Sequence, residues 1–394
     1  MNKLTIGLFG FGTVGQGLHT VLQNSKTVDA CIKRICIKHQ DKQRGIDARV
    51  FTTNAEDILG DPEINLVVEL IDNAQDAYSI VKTAMQRGKS VVSGNKTMLA
   101  FHLQEMIELQ RKHNVALLYD ASACGSIPVI RNLEEYYDND LLTSVTGILN
   151  GSSNYILTKI FQEGVSYENA LKEAQELGFA ESNPSFDVDG FDSLYKLVIL
   201  TLHAFGAIVP PDAVFNFGIS NLQPCDIKFA REKGRKIKLV ARVGKVDNNS
   251  ISLYVMPRML TPDLYIYGVE EEYNGVVIRG KYYDKQFMFG KGAGALPTGS
   301  AVLSDIAARF HDYRYEYKKY NEPNPSQYVT HNVVEVYLRY RSSSDFEQFR
   351  FEEISEKYTS NDYNYVIGKI KIEDLLCIKR LLPKMDVFLA SMSS

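Results

Sequence analysis

The stretch KLTIGLFGFGTVGQGL, residues 3–18, decides the fold. Its first half is an aliphatic, β-branched run of strand character, and TVGQGL opens a helical period. Between them stand Gly10, Gly12 and Gly15 in G-x-G-x-x-G spacing. The first glycine permits a tight turn, the second lets backbone amides approach a pyrophosphate, and the third allows close packing of helix on strand. Phosphates would lie at the helix N-terminus, against its first amides. Phe11, Thr13 and Val14 complete the turn as cofactor-binding candidates. The plain alternative is an ordinary glycine turn; a strand before it and a helix after it favour the dinucleotide reading.

Outward from this turn the pattern continues. CIKRICIKH, LVVELI, SVVSGN and VALLYDAS read as strands, and AYSIVKTAMQRG and AFHLQEMIELQRKHN as helices between them. Such alternation predicts βαβ units and a parallel sheet with both faces covered. The predicted fold class is therefore α/β: a Rossmann-type domain over 1–135 with a return helix at 299–317, then a mixed α+β domain over 136–298. In that second domain the strand LTSVTGIL precedes three helices, and KIKLVARVGKVDNNSISLYVMPRML reads as a hairpin with an Asp-Asn-Asn centre. Residues 318–331, with Pro323 and Pro325, read as a linker, and 332–394 as a small α/β module.

An acid at the end of the second strand would bind a ribose 2′-hydroxyl. Asp29 has about the right separation from the glycines but lies at the strand's start, whereas Lys38, His39 and Arg44 follow its far end. Basic groups there suit a 2′-phosphate and hence NADP; solvated surface charges are the competing reading, and NAD stays open.

The chemical signal is DVDGFDSLYKLVILTLHAFG, residues 187–206. Asp192 and Lys196, four apart, share a helix face. On a surface such a pair is worth roughly 0.3–0.5 kcal/mol and nothing more. Leu194, Leu197, Val198 and Leu200 instead argue a largely buried helix, in which a lysine half-withdrawn from water has a depressed pKa and can exchange protons. Ser93 and Lys96 in SGNKTMLA fall at a strand end, where α/β sheets present ligand-facing groups; a capping or surface lysine is the alternative. Glu181, Asp187 and Asp189 precede the lysine helix and either bind an ammonium or form a polar loop with a cap at Asp189. Asn150, Gly151 and Ser152 in GILNGSSNYIL read as an Asn-Gly turn and a capped helix start, whose amides could hold a carboxylate.

Composition narrows the class. Of 394 residues 45% are hydrophobic and 23% charged, and the net charge of −4 is spread without a single-sign block, so no nucleic-acid partner is expected. No apolar run reaches the length of a membrane span, so no membrane partner is expected either. The five cysteines are scattered without metal-ligand spacing, and the first residues lack an ordered leader pattern; a cytoplasmic location is expected.

GFGTVGQGL, SGNKTMLA, DASACGSIPVI, GILNGSSNYIL, EAQELGFAESNPSFDVDGFDSLYKLVIL and GKGAGALPTGSAVLSD, in this order over residues 3 to 305, closely resemble the homoserine dehydrogenase family. The resemblance implies reversible reduction of L-aspartate 4-semialdehyde to L-homoserine with NAD(P)H, in threonine, methionine and isoleucine biosynthesis. It implies Lys196 as the proton donor, Lys96 near nicotinamide and substrate, and Glu181 and Asp192 as substrate contacts. It also implies cofactor closure by Gly292 or Gly294, and catalysis and dimerisation by the second domain in a homodimer or homotetramer. Asp120, Ala123, Gly125 and Ile127 match a segment where the family holds sodium, although the family usually has glutamate in place of Asp120. The C-terminal module is ACT-like in length and alternation, but RSSSDFEQ replaces the family's acidic-Pro-Gly turn. ELIDN places Asp72 and Asn73 where a double glycine is commoner. Two rivals stand: an acylating semialdehyde dehydrogenase with Cys124 as nucleophile, for which no histidine spacing supplies a base, and a non-catalytic nucleotide-binding regulator.

Overall fold

The computed structural model describes residues 3–39 and 44–392. The backbone divides into two compact units, Met1–Asp138 with Lys291–Lys318, and Asn139–Gly290 with Lys319–Ser394.

The first unit holds six parallel strands in the order β3-β2-β1-β4-β5-β6. They are β1 (Leu4–Phe9), β2 (Ala30–Cys36), β3 (Phe51–Thr52), β4 (Leu66–Glu69), β5 (Ser90–Ser93) and β6 (Leu117–Leu118). Every residue of β4 and β5 is buried, as continuous aliphatic runs require when helices cover both faces. Strand order reverses at β1, which pairs β2 on one side and β4 on the other. That reversal opens a crevice at the carboxyl ends, where such sheets bind ligands. Phe9 stands beside Glu69, and Glu69 beside Ser93, in one row at that rim. VALLYDAS yields only the two residues of β6. Tyr119 then turns into a 3-10 helix at Asp120–Ser122, secured by Ser122 Oγ donating to the Tyr119 carbonyl (2.7 Å) and the Asp120 amide donating to Asp305 Oδ2 (2.9 Å).

The return helix runs Ala295–Phe310, starting earlier than 299 because Gly294, with φ +120°, turns the chain there. It crosses the helix Thr13–Asn24 at glycines. A Cβ on Gly17 would lie 1.9 Å from the Ala295 carbonyl oxygen, and one on Gly299 would lie 2.6 Å from the Gly17 backbone.

The second unit is built on a mixed sheet in the order β12-β11-β7-β9-β10-β17-β14-β16-β15. Its strands are β7 (Leu142–Ile148), β8 (Phe215–Asn216), β9 (Lys236–Lys245), β10 (Ser250–Leu260), β11 (Tyr273–Gly280), β12 (Asp284–Lys291), β13 (Gln327–Tyr328), β14 (Val333–Tyr340), β15 (Phe351–Thr359), β16 (Asn364–Lys371) and β17 (Val387–Met392). β8 and β13 pair β10 off the main path. The β9–β10 hairpin holds register from Lys245↔Ile251 to Lys236↔Leu260, and Asp247 closes it by accepting from the Asn249 and Ser250 amides. Residues 333–392 follow a β-α-β-β-α-β order, and β17-β14-β16-β15 are antiparallel throughout. Among the described residues this ladder joins β10 in parallel over Arg258↔Ser391 and Met259↔Met392. Beside that seam, Arg339 and Asp226, both buried, form an ion pair at 3.1 Å.

Candidate active site

The helix Phe191–Phe205 is nearly all buried, because aliphatic residues occupy most of its faces. It is entered at Gly190 (φ +83°) rather than capped by Asp189, and left at Gly206 (φ +70°). Lys196 is only 8% exposed. Its Nζ donates to the Leu149 carbonyl oxygen (2.7 Å) and to Asp192 Oδ2 (2.7 Å). An ammonium has three N–H donors, and these two bonds are its only ones among the described residues. One N–H therefore stays available for a further acceptor.

The surroundings fix this amine. Asn150 Nδ2 donates to Asp187 Oδ1 (2.7 Å) and Asp192 Oδ2 (2.9 Å), so one buried amide ties both acids together. Asn150 is not part of an Asn-Gly turn. It caps the helix Gly151–Glu163, its Oδ1 accepting from the Ser153 amide at 2.8 Å. The Gly151 and Ser152 amides open that helix without an intrahelical acceptor. Gly151 suits its place because a Cβ there would meet the Glu272 carbonyl oxygen at 2.6 Å. The Ser152 hydroxyl turns to the Phe179 carbonyl. The Glu181 side chain is exposed and makes no hydrogen bond among the described residues, so it lies outside the cluster of Asn150, Asp187, Asp192 and Lys196.

Sequence reasoning missed two members. Asn274, fully buried, donates from Nδ2 to the same Leu149 carbonyl (3.0 Å) that Lys196 holds. That carbonyl has no side-chain signature at all. A second network lies behind it, where Lys238 Nζ donates to Asn154 Oδ1 (2.9 Å), Thr158 Oγ1 (3.3 Å) and Glu270 Oε2 (2.8 Å). Asn154 Nδ2 in turn holds the carbonyls of Val269, Glu271 and Tyr273, the loop that delivers Asn274. Burial pulls the Lys238 pKa down to about 8 against the Glu270 carboxylate, which opposes the fall.

In the first unit the glycine turn fits a dinucleotide pyrophosphate. Gly10 has φ +93°, and a Cβ there would strike the Leu70 carbonyl oxygen at 2.5 Å. Gly12 has nothing within 4 Å of where a Cβ would stand, and no side chain caps the helix Thr13–Asn24 that Phe11 and Gly12 lead into, which leaves the first-turn amides of Thr13 and Val14 without a side-chain acceptor. A Cβ on Gly15 would collide with the Gly10 carbonyl oxygen at 2.4 Å, so this glycine closes the turn itself. Ser93 Oγ donates to Glu69 Oε2 (2.6 Å), leaving only its backbone to face a ligand. Burial pushes Glu69 up to about 7, and it also accepts from the Ile71 amide (2.8 Å), which shapes the rim beyond β4. Lys96 is half-buried at the first turn of the helix Lys96–His113, after the Asn95 cap. Lys38 is exposed and pairs with Asp76 at 2.9 Å, and Arg44 lies over the Phe51 ring. Gly292 and Gly294 belong to this unit: a Cβ on Gly125 (φ +56°) would lie 2.5 Å from Gly292.

In the segment Asp120–Ile127 several of the oxygens are already engaged by amides. Asp120 Oδ1 accepts from the Arg131 amide (3.1 Å), and the Ile127 carbonyl from the Val129 amide (2.8 Å). Ala123 donates its amide to the Asp120 carbonyl, which tightens the loop. Burial, then the neighbouring Asp120 carboxylate, pushes Asp305 up to about 8. Among the described residues no three His, Cys, Asp or Glu side chains gather as metal ligands, and no helix is long and apolar enough to cross a membrane. Cys124 is fully buried, closed to the access a thiolate nucleophile needs.

Comparison with known proteins agrees with this geometry. The family model for the homoserine dehydrogenase NAD-binding domain matches residues 10–120, and that for homoserine dehydrogenase matches 128–307. The homoserine dehydrogenase of Lactococcus lactis is 37% identical over 314 residues, 77% of this chain and 73% of the relative. The crystal structure of a homoserine dehydrogenase from Thiobacillus denitrificans superposes with a TM-score of 0.85 at 28% identity, covering 100% of this chain and 99% of that one. A hyperthermophilic archaeal homoserine dehydrogenase in complex with NADPH superposes with a TM-score of 0.68 at 26% identity, covering 80% of this chain and 99% of that one. The chain belongs to the homoserine dehydrogenase family of NAD(P)-dependent oxidoreductases.

Proposed function

We propose that this chain reduces L-aspartate 4-semialdehyde to L-homoserine, reversibly, with Lys196 as the acid. The observation that carries the assignment is the Lys196 ammonium, held by the Leu149 carbonyl and Asp192 with one N–H unspent. NAD(P)H, seated on the glycine turn of residues 10–15 when bound, supplies the hydride. As the aldehyde oxygen gains charge, the unspent N–H stabilises it and passes over a proton. In the oxidative direction the neutral amine takes that proton back. Asp192 keeps the amine aimed, and Asn150 keeps Asp192 in place.

The amino-acid end of the substrate needs an acid for its ammonium and amides for its carboxylate. Asp187, with Glu181 swinging in from the exposed loop, supports the first; the open amides of Gly151 and Ser152 support the second. Lys96 serves the nicotinamide side, and Gly292 or Gly294 the cofactor's cover. NADP is the proposed cofactor on the strength of Lys38, with NAD accepted. No step uses a cation at Asp120–Ile127. The β-α-β-β-α-β order of the C-terminal segment, with the sheet order β17-β14-β16-β15, supports an ACT-like reading. The resemblance carries a homodimer or homotetramer, and a cytoplasmic setting, into the proposal; sedimentation of the purified chain tests the first. The test of function is a spectrophotometric assay with aspartate semialdehyde, run separately with NADPH and NADH. Absence of turnover with both would overturn the assignment.

A further inference from the structure

A polar cavity lies wholly within the second unit and takes none of its lining from the lysine helix. It measures about 320 Å³ and lies over the stretch of sheet where β17 pairs with β10. Its lining carries Arg242, Arg258, Arg279 and Lys245, together with Asn332–Glu335, Ser391 and Met392. Four cations thus share the cavity with one carboxylate, and Glu335 is itself exposed and within the field of Lys369.

Among the described residues no carboxylate pairs with these guanidiniums. Arg242 donates, among the described residues, to one neutral hydroxyl, Thr146 Oγ1, at 3.2 Å. Arg258 is half-buried on the middle strand of the seam, and neither it nor Arg279 has a side-chain hydrogen bond or ion pair among the described residues. Burial, then the like charges of Arg242, Arg279 and Arg235, pulls the Arg258 pKa below its ordinary value. Contrast Arg339 nearby, which is buried but fully engaged by Asp226, Asp386 and the Asn221 carbonyl. A half-buried guanidinium without a carboxylate is costly to keep, and its planar fork matches the oxygens of a phosphoryl group. The volume suits a small molecule rather than a polypeptide segment.

We propose that this cavity binds a small phosphate-bearing anion through the guanidiniums of Arg242, Arg258 and Arg279. Arg258 is also one of the two β10 residues that pair with β17, so an anion held there braces the C-terminal ladder against the sheet that supports the lysine helix. The bound species is either free phosphate or pyrophosphate, or a metabolite's phosphate ester.

The test is titration calorimetry of the full chain with NADPH saturating, so that the glycine turn is already filled. Inorganic phosphate, pyrophosphate and glycerol 3-phosphate are the probes, and their ranking separates free anion from ester. One site per chain is expected, with affinity for the best probe weakened about ten- to a hundredfold by Arg258→Gln and by Arg242→Gln. Arg258→Lys should fold and bind with intermediate affinity, which separates lost binding from lost structure. Turnover in anion-free buffer should be unchanged in the Gln variants, and the anion should raise the melting temperature of wild type alone. Equal binding by wild type and Arg258→Gln, or no binding of any probe, would overturn the proposal. So would dissociation of an oligomer by Arg258→Gln with anion affinity unchanged, which would mark the face as a contact between copies.

Discussion

Two buried lysines of the second unit differ in one bond. Lys238, 1% exposed, has three acceptors for its three N–H donors: Asn154, Thr158 and Glu270. Lys196, 8% exposed, has two acceptors, Leu149 and Asp192. Both are withdrawn from water and both face a carboxylate, so burial and charge pairing do not separate them. The unspent donor does. A saturated amine can only hold structure together, whereas an unsaturated one can meet a developing oxyanion.

The most forceful way to break this contrast is Lys196→Ala. It should lower kcat by about 10²–10⁴-fold, the usual worth of a positioned acid, while NADPH binding measured by fluorescence titration survives. Near-normal turnover would remove the acid and with it the distinction. Lys238→Met should do the opposite, costing about 1–3 kcal/mol of stability by leaving the buried Asn154 Oδ1 without its donor, while Lys236 still pairs with Glu270, and leaving kcat of the folded fraction within a few-fold.

The same lysine sharpens the contrast through pH. Its pKa is about 8 in the folded chain against the ordinary 10.5. Between these values the unfolded chain binds the extra proton, so the Lys238 contribution to stability rises with pH across that window and is level on either side. Subtracting the Lys238→Met denaturation curves from those of wild type isolates the rise. A flat difference would mean that the buried amine titrates normally.

Between the two networks stands Asn274, reached from the Lys238 loop and touching the carbonyl that Lys196 holds. Asn274→Ala should slow kcat by about tenfold, the worth of one hydrogen bond of about 1–1.5 kcal/mol, with KM little changed. An effect on melting temperature alone would assign Asn274 to the structural side. The smallest effect is expected at Lys38, an exposed lysine paired with Asp76. Lys38→Glu should leave stability within about 1 kcal/mol and weaken NADPH more than NADH. Equal weakening would count against a 2′-phosphate contact.

What the sequence disclosed tracks how local each signal is. The strand–glycine–helix unit at residues 4–24 and the β9–β10 hairpin are short-range patterns, and both formed where periodicity and turn chemistry put them. The Asp192–Lys196 pair follows from helical spacing alone. Burial of that pair was decided by the leucines around it rather than by its own charges. Asn274 and the Leu149 carbonyl could not be seen, because one is a common loop residue and the other is backbone. Gly17 carries no local signal of its role, because the Ala295 carbonyl that would meet its Cβ is remote in sequence. GILNGSSNYIL misled in a specific way: Asn-Gly suggested a turn, but asparagine is equally a helix cap, and the following helix claimed it.

The discontinuity of the first unit also has a consequence in time. Its six strands are translated first, yet the helix Ala295–Phe310 that covers Gly17 emerges only after residues 139–290 have been made. At roughly 5–20 residues per second that wait is about 8–30 s. Until then the face of the helix Thr13–Asn24 around Gly17 has no Ala295 to pack against, so this unit cannot complete its packing before the second has been made.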